Sequence, residues 1–302
     1  MDSQATMQGV FAPVTTPFGE SLQPDVGRLA AHCRWLLDQD CGVVLFGTTS
    51  EANSLSLEER LETLEAVLEA GLPPVRVMAG TGCCSLTETA RLSARAVELG
   101  CGGVLMLPPF YYKEVCDEGL FRYYAEVIER VGDSRLRVYL YHIPPVSKVP
   151  LSLALIERLH TAYPQVVAGI KDSGGDWNNT EAILRAFPGW GVFTGTESML
   201  LKNMRAGGVG CISATVNINP GPIQRLWLGW QDPGADAAQE ELNAVRLILQ
   251  KYPLIPALKA VLAHYRGDEA WRQVRPPLVS LDELQSRELV SRLEQTGFNL
   301  EG

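Results

Sequence analysis

Val166-Val167-Ala168-Gly169-Ile170-Lys171-Asp172-Ser173-Gly174-Gly175-Asp176 is an apolar run that stops at a lysine and passes into a polar, glycine-rich turn. A short continuous run of this kind is the signature of a parallel strand buried on both faces. It predicts a strand over 166–170 with Lys171 at its carboxyl end, the edge where α/β barrels keep their chemistry. An amine there, kept from water, sheds its proton more readily and can attack a ketone. Taken alone, a strand-end lysine is more ordinarily solvated or salt-bridged.

Working outward, the same pattern recurs along the chain. Strand-like runs occupy 10–14, 42–46, 75–79, 103–107, 137–141, 166–170, 191–194 and 210–214. Amphipathic helical runs lie between them at 26–38, 57–70, 86–99, 118–131, 151–163, 177–187, 198–206 and 220–230. Strict alternation predicts a parallel sheet, and a chain with eight such units closes naturally into a (β/α)8 TIM barrel. A doubly wound open sheet is the competing architecture. The first strand, however, runs into Thr15-Thr16-Pro17-Phe18-Gly19 rather than a GxGxxG turn.

Punctuation supports these limits. Ser56 and Glu59 have the residue types of a capping box, and Gly71 and Gly100 stand where left-handed helix C-caps belong. Residues 1–233 therefore form the barrel and 234–302 a C-terminal helical region packed on it. Asp232-Pro233-Gly234 is the hinge, and apolar stripes over 242–249, 254–264 and 281–293 mark the appended helices.

Composition narrows the function classes. The 302 residues are 46% hydrophobic and 20% charged, as in a globular protein. A net charge of -9 argues against nucleic acid or anionic lipid as partner. No stretch approaches the ~20 apolar residues of a membrane span, and Met1-Asp2-Ser3-Gln4 lacks the features of a signal peptide. The expected location is cytoplasmic. Seven cysteines without metal or CxxC spacing read as reduced packing thiols. His32, His142, His160 and His264 are dispersed, which leaves no metal-binding pair and weakens a metal-dependent mechanism.

Two further segments end strands at the same rim. Gly47-Thr48-Thr49-Ser50-Glu51 offers backbone N–H groups and two hydroxyls suited to a carboxylate, although it reads equally as a turn capping the next helix. In Tyr139-Leu140-Tyr141-His142-Ile143-Pro144-Pro145, period-two alternation puts Tyr139 and Tyr141 on one face and His142 on the other. If that face is the barrel interior, Tyr141 reaches the rim beside Lys171 and can carry protons; otherwise it is a core tyrosine. His142 then faces the helices as a packing residue.

These motifs, with Ile212-Ser213 and the opening Gly9-Val10-Phe11-Ala12-Pro13-Val14-Thr15-Thr16-Pro17-Phe18, resemble in order and spacing the dihydrodipicolinate synthase and N-acetylneuraminate lyase superfamily. The resemblance extends to Arg275-Pro276-Pro277-Leu278 near the end of the chain. It implies a class I lyase or aldolase that acts on pyruvate or another 2-oxo acid without metal or organic cofactor. Lys171 matches the imine-forming lysine and Tyr141 the proton-shuttling tyrosine. Thr48 and Thr49 match the pair that holds the substrate carboxylate, with Thr48 also in the proton relay. Gly195 and Ile212 match positions whose backbone lines the pyruvate site. Tyr112, with Tyr111 as the alternative, matches a tyrosine lent to a neighbouring subunit, which implies a homo-oligomer, a tetramer of paired dimers.

The chain also departs from the resemblance. Dihydrodipicolinate synthases carry an arginine where Val146 stands, so the run Tyr141 to Ser147 looks more like the sialate lyase and keto-deoxy-sugar-acid aldolase branches. There the polyol contacts match Ser173, Glu197 and Ser213, but Ser198 replaces a second acid and His142 an asparagine. The resulting expectation is a lyase that reversibly cleaves a hydroxylated 2-oxo acid to pyruvate and an aldehyde. The alternatives are a dihydrodipicolinate synthase, a keto-deoxy-sugar-acid dehydratase using the same imine, and a non-catalytic barrel that binds a 2-oxo acid. A phosphate-binding barrel, suggested by Ala206-Gly207-Gly208-Val209-Gly210, ranks last because that run precedes its strand.

Overall fold

Short apolar strands alternating with amphipathic helices close here into a parallel barrel. The structure, a computed structural model, describes residues 6–300. Met1 to Gln4, whose composition was considered above, lie outside the described residues. The strands are β1 (Gly9–Pro13), β2 (Gly42–Leu45), β3 (Val77–Gly80), β4 (Gly103–Met106), β5 (Val138–His142), β6 (Val167–Asp172), β7 (Gly191–Thr194) and β8 (Gly210–Ile212). Each pairs with the next, and β8 pairs with β1 to complete the closed (β/α)8 barrel. The outer layer contains α1 (Val26–Asp38), α2 (Leu57–Glu69), α3 (Leu86–Glu98), α4 (Asp117–Val131), a single turn α5 (Pro144–Ser147), α6 (Leu153–Ala162), α7 (Trp177–Ala186), α8 (Leu200–Arg205) and α9 (Pro220–Leu228). Three helices follow: α10 (Ala235–Leu249), α11 (Leu254–Arg266) and α12 (Glu283–Glu294). No helix among the described residues is long and apolar enough to cross a membrane.

Side-chain alternation along each strand separates two cores. Phe11, Val44, Met78, Leu105, Tyr139, Tyr141, Phe193 and Ile212 fill the barrel interior. The intervening residues, such as Val10, Val43, Val138 and Ile170, pack outward against the helices. Large rings fit inside because facing positions are glycine. A Cβ on Gly42 would lie 2.1 Å from the Phe11 ring, and one on Gly169 2.7 Å from the Tyr139 ring. Tyr139 closes the floor, its hydroxyl accepting the Met7 N–H at 2.8 Å.

The capping box at Ser56 and Glu59 forms, and Gly71 and Gly100 adopt positive φ after their helices. Boundaries differ where a local signal misled. The third strand starts at Val77 rather than Val75, because Pro74–Arg76 makes a 3-10 turn that leaves Val75 exposed. The eighth ends at Ile212, since Ala214–Asn217 turns immediately into a second 3-10 segment. The run from Ser198 opens as a 3-10 turn and becomes α-helix only at Leu200. The sixth strand runs past Ile170 through Lys171 to Asp172, because its ladder with β5 and β7 continues although the hydrophobic run has ended. Pro144–Ser147, with the sequence Pro-Pro-Val-Ser, forms a single helical turn that no amphipathic run in the sequence marks.

The C-terminal helices bury Leu249, Leu258, Leu262, Leu289 and Leu293 together with Ala214 and Ile218 of the loop after β8. One ion pair pins them to the barrel rim. Lys259 on α11 is fully buried, with Nζ 2.5 Å from Glu51 Oε1 and 2.6 Å from the Gln273 carbonyl. Glu51 Oε2 accepts the Arg275 N–H at 2.9 Å. Burial pulls the Lys259 pKa down to about 8 against the opposing pull of Glu51. A second tie runs through His32 on α1, whose Nδ1 lies 2.6 Å from Arg266 Nη2 and Nε2 3.1 Å from Asn217 Oδ1. The first contact needs an acceptor and the second a donor, so the ring is neutral with its proton on Nε2.

Lys259→Met should therefore lower stability by about 3–5 kcal/mol in urea unfolding, because Glu51 would remain buried without its cation. His32 supplies a pH signature. Burial and then the Arg266 charge hold its pKa down to about 3, while the unfolded ring titrates near 6.5. Below that value the unfolded chain binds the extra proton, so stability falls as pH drops from 6.5 towards 3. Between pH 7 and 5 the loss from this residue should be about 2 kcal/mol. It is read as the difference in urea midpoints between wild type and His32→Gln, whose slope should be flatter.

Candidate active site

The register of β5 against β6 sets Tyr141 opposite Lys171, both facing the interior at the carboxyl rim. Lys171 is almost fully buried, with Nζ 3.3 Å from the Tyr141 hydroxyl and 4.3 Å from the ring centroid. The Tyr141 hydroxyl in turn lies 3.2 Å from Thr48 Oγ1. Amine, phenol and alcohol thus form one hydrogen-bonded row drawn from β6, β5 and the β2–α2 turn.

That turn is held from below. Ser50 Oγ bonds the Val14 carbonyl at 2.5 Å, and Thr16 Oγ1 bonds the Ser50 carbonyl at 2.7 Å. Its hydrogen bonds use the N–H groups of Gly47, Ser50, Glu51 and Ala52. Those of Thr48 and Thr49 take no part in them. A cavity of about 630 Å³ opens above the row, bounded by Thr48, Thr49, Tyr141, Lys171, Ser173 and Gly195. Ile143, Pro145 and Val146 form one side; Arg246, Gln250, Leu254 and Ile255 of the appended helices form another. A buried nucleophile, a proton carrier and a donor-rich turn around one cavity suit imine chemistry on a small carboxylated ketone.

The remaining sequence-derived residues are distributed unevenly. Gly195 borders the cavity, and its N–H bonds the Asp172 carbonyl at 2.7 Å. Ile212 lies below, in the interior core against Tyr141, and does not border the cavity. Glu197 and Ser213 are fully buried behind the wall; the Ser213 hydroxyl donates to Glu197 Oε2, and Gln239 donates to the Glu197 carbonyl. Ser173 Oγ and Glu197 Oε1 are buried without a hydrogen-bond partner. Tyr112 is 72% exposed, stacked edge-on against Tyr111, and stands outside the cavity of its own chain. His142 faces the helix layer, where its Nδ1 accepts the Leu151 N–H at 3.1 Å and burial lowers its pKa. Among the described residues no three His, Cys, Asp or Glu side chains are grouped to hold a metal ion.

A family model described as the Dihydrodipicolinate synthetase family matches residues 6–296. The chain belongs to that family. An uncharacterized DapA-like lyase of Chloroflexus aurantiacus is 34% identical over 280 residues, covering 92% of this chain and 93% of that protein. An N-acetylneuraminate lyase of Escherichia coli is 31% identical over 297 residues, covering 96% and 97%. Dihydrodipicolinate synthase from Agrobacterium tumefaciens superposes with a TM-score of 0.89 at 32% identity, over 96% of this chain and 99% of that one. YagE of E. coli, solved in complex with pyruvate, also gives 0.89, at 27% identity over 98% and 100%. The Dihydrodipicolinate synthetase family thus joins lyases and synthases on one barrel, and this chain is a member of its class I aldolase and lyase superfamily.

Sequence reading missed Arg246, which enters the cavity wall from α10. It sits in a region read only as packing, and nothing local marks it. The wall is tight near Gly195, where an added Cβ would lie 2.0 Å from Ser173 Oγ and 2.6 Å from its Cβ. Gly195→Ala is expected to cost about 1–3 kcal/mol of folding stability. Urea unfolding measures it, and an unchanged midpoint would show that the loop yields freely.

Proposed function

We propose that this protein is a cytoplasmic class I lyase that holds pyruvate as an imine on Lys171 and reversibly cleaves a hydroxylated 2-oxo acid to pyruvate and an aldehyde. The observation that carries the reading is the hydrogen-bonded row from Lys171 through Tyr141 to Thr48. The amine attacks the ketone carbon, the carbonyl oxygen leaves as water, and Tyr141 moves the protons that these steps exchange. Thr48 and Thr49 hold the carboxylate through their hydroxyls and N–H groups.

In the cleavage direction, the C–C bond breaks as the aldehyde carbonyl forms, and its electron pair flows into the protonated imine to give an enamine. Protonation of that enamine and hydrolysis then release pyruvate and restore the free amine. The iminium is itself the electron sink, so the chemistry calls for neither metal nor organic cofactor. Gly195 borders the pyruvate end with Ile212 packed in the core below it, and Ser173 borders the hydroxylated half with Glu197 and Ser213 buried behind it. In the same reading Tyr112, with Tyr111 beside it, completes the site of a second copy within a tetramer of paired dimers. Val146 supports a lyase over a dihydrodipicolinate synthase, since it stands at the cavity edge, 60% exposed, where a synthase arginine would grip a carboxylate.

The test is reductive trapping. Incubation with pyruvate and borohydride should leave a mass adduct that maps to Lys171 and is absent from Lys171→Ala. Tyr141→Phe should lower turnover by about 10²–10⁴. A wild-type protein without the adduct would overturn the imine mechanism.

A further inference from the structure

Arg246 extends from α10 into the cavity that Lys171 occupies, and its side chain is 14% exposed. Among the described residues, Lys171 and Arg246 are the cationic side chains that border that cavity. Its protein contacts hold the group without using it up. Nη1 donates to Thr215 Oγ1 at 3.1 Å and lies 3.7 Å from Glu197 Oε2, an ion-pair distance too long for a hydrogen bond. Nε is buried without a hydrogen-bond partner. A guanidinium offers five N–H donors in a rigid fork, and most of this fork is left over.

Neither carboxylate nearby accepts a hydrogen bond from it. Glu197 Oε2 already accepts from the Ser213 hydroxyl. Asp172, which also borders the cavity, accepts from Gly174 N–H, Asn179 Nδ2 and Thr180 Oγ1 at 2.9, 2.9 and 2.7 Å. Glu197 and Thr215 therefore fix the guanidinium in a wall of the cavity that Lys171 also borders. A carboxylate fits such a fork with two parallel hydrogen bonds, which an isolated hydroxyl cannot do.

We infer that Arg246 grips an acidic group on the aldehyde half, so that the preferred substrate is a hydroxylated 2-oxo acid bearing a second carboxylate at its far end. This rests on the lyase reading above, in which Thr48 and Thr49 hold the first carboxylate. The charge lost at Val146 is thus replaced at the same cavity by a side chain from α10, a helix outside the barrel. Cleavage of such a diacid breaks one C–C bond and gives pyruvate and a carboxylated aldehyde, with no redox change.

Condensation of pyruvate with matched aldehydes tests this: succinic semialdehyde against butanal, and glyoxylate against acetaldehyde. In wild type kcat/KM for the carboxylated member of each pair should exceed that for the neutral one by about 100-fold, and Arg246→Gln should bring that ratio down to about 1, as expected for loss of a two-pronged charged contact. Arg246→Lys keeps the charge without the fork and should retain about a tenth of the ratio; it also serves if the Gln variant does not fold. A wild type that prefers neutral aldehydes, or a ratio that neither variant changes, overturns the assignment to Arg246 while pyruvate trapping on Lys171 still stands. A wild type that traps no pyruvate overturns the imine reading, and the diacid assignment falls with it.

Discussion

The buried contact between Lys259 and Glu51 is the constraint on which the site depends. Two opposite charges removed from water are tolerable only when paired and further hydrogen-bonded, and here the Gln273 carbonyl and the Arg275 N–H complete the set. Glu51 sits at φ 56°, an uncommon backbone state for a side chain of its size. Its carboxylate is held from the C-terminal region while its own N–H closes the turn on the Thr48 carbonyl. The pair thus joins the turn that presents Thr48 and Thr49 to helices far along the chain. Arg275 reinforces the join by bonding the Leu22 and Ser54 carbonyls and the Glu59 carboxylate.

Barrel geometry does the rest of the positioning. Because β5 and β6 are adjacent and in register at Tyr141 and Lys171, phenol and amine meet without any loop having to order itself. Glycines facing the interior admit the Tyr139 and Phe11 rings below them, which gives the row a packed floor. The wall above the row is built instead from loops and from the appended helices. The relatives carry the names of both lyases and synthases, as expected where one fold hosts different activities.

Legibility followed the range of the interactions involved. Lys171 and Tyr141 could be located because strand period and hydrophobic run are local properties of a few residues. The strand limits read from the sequence overshoot at Val75 and Ala214, which lie in 3-10 turns. Glu51 was visible as part of a Thr-rich turn, but its role depends on a lysine 208 residues away. Arg246 is one polar position on an amphipathic helix, and whether such a residue meets solvent or a cavity depends on how that helix docks.

By itself, the sequence determined the eightfold alternation, and hence a barrel, together with the types of residue that end its strands at the reactive rim. It did so because burial on both faces of a parallel strand leaves a readable hydrophobic pattern. Only the tertiary structure decided that amine, phenol and threonine hydroxyl touch, that Glu197 and Ser213 lie behind the wall rather than on it, and that α10 contributes a guanidinium. Those outcomes rest on contacts between elements distant in the chain, whose geometry is set by packing and by a buried charge pair rather than by any local preference.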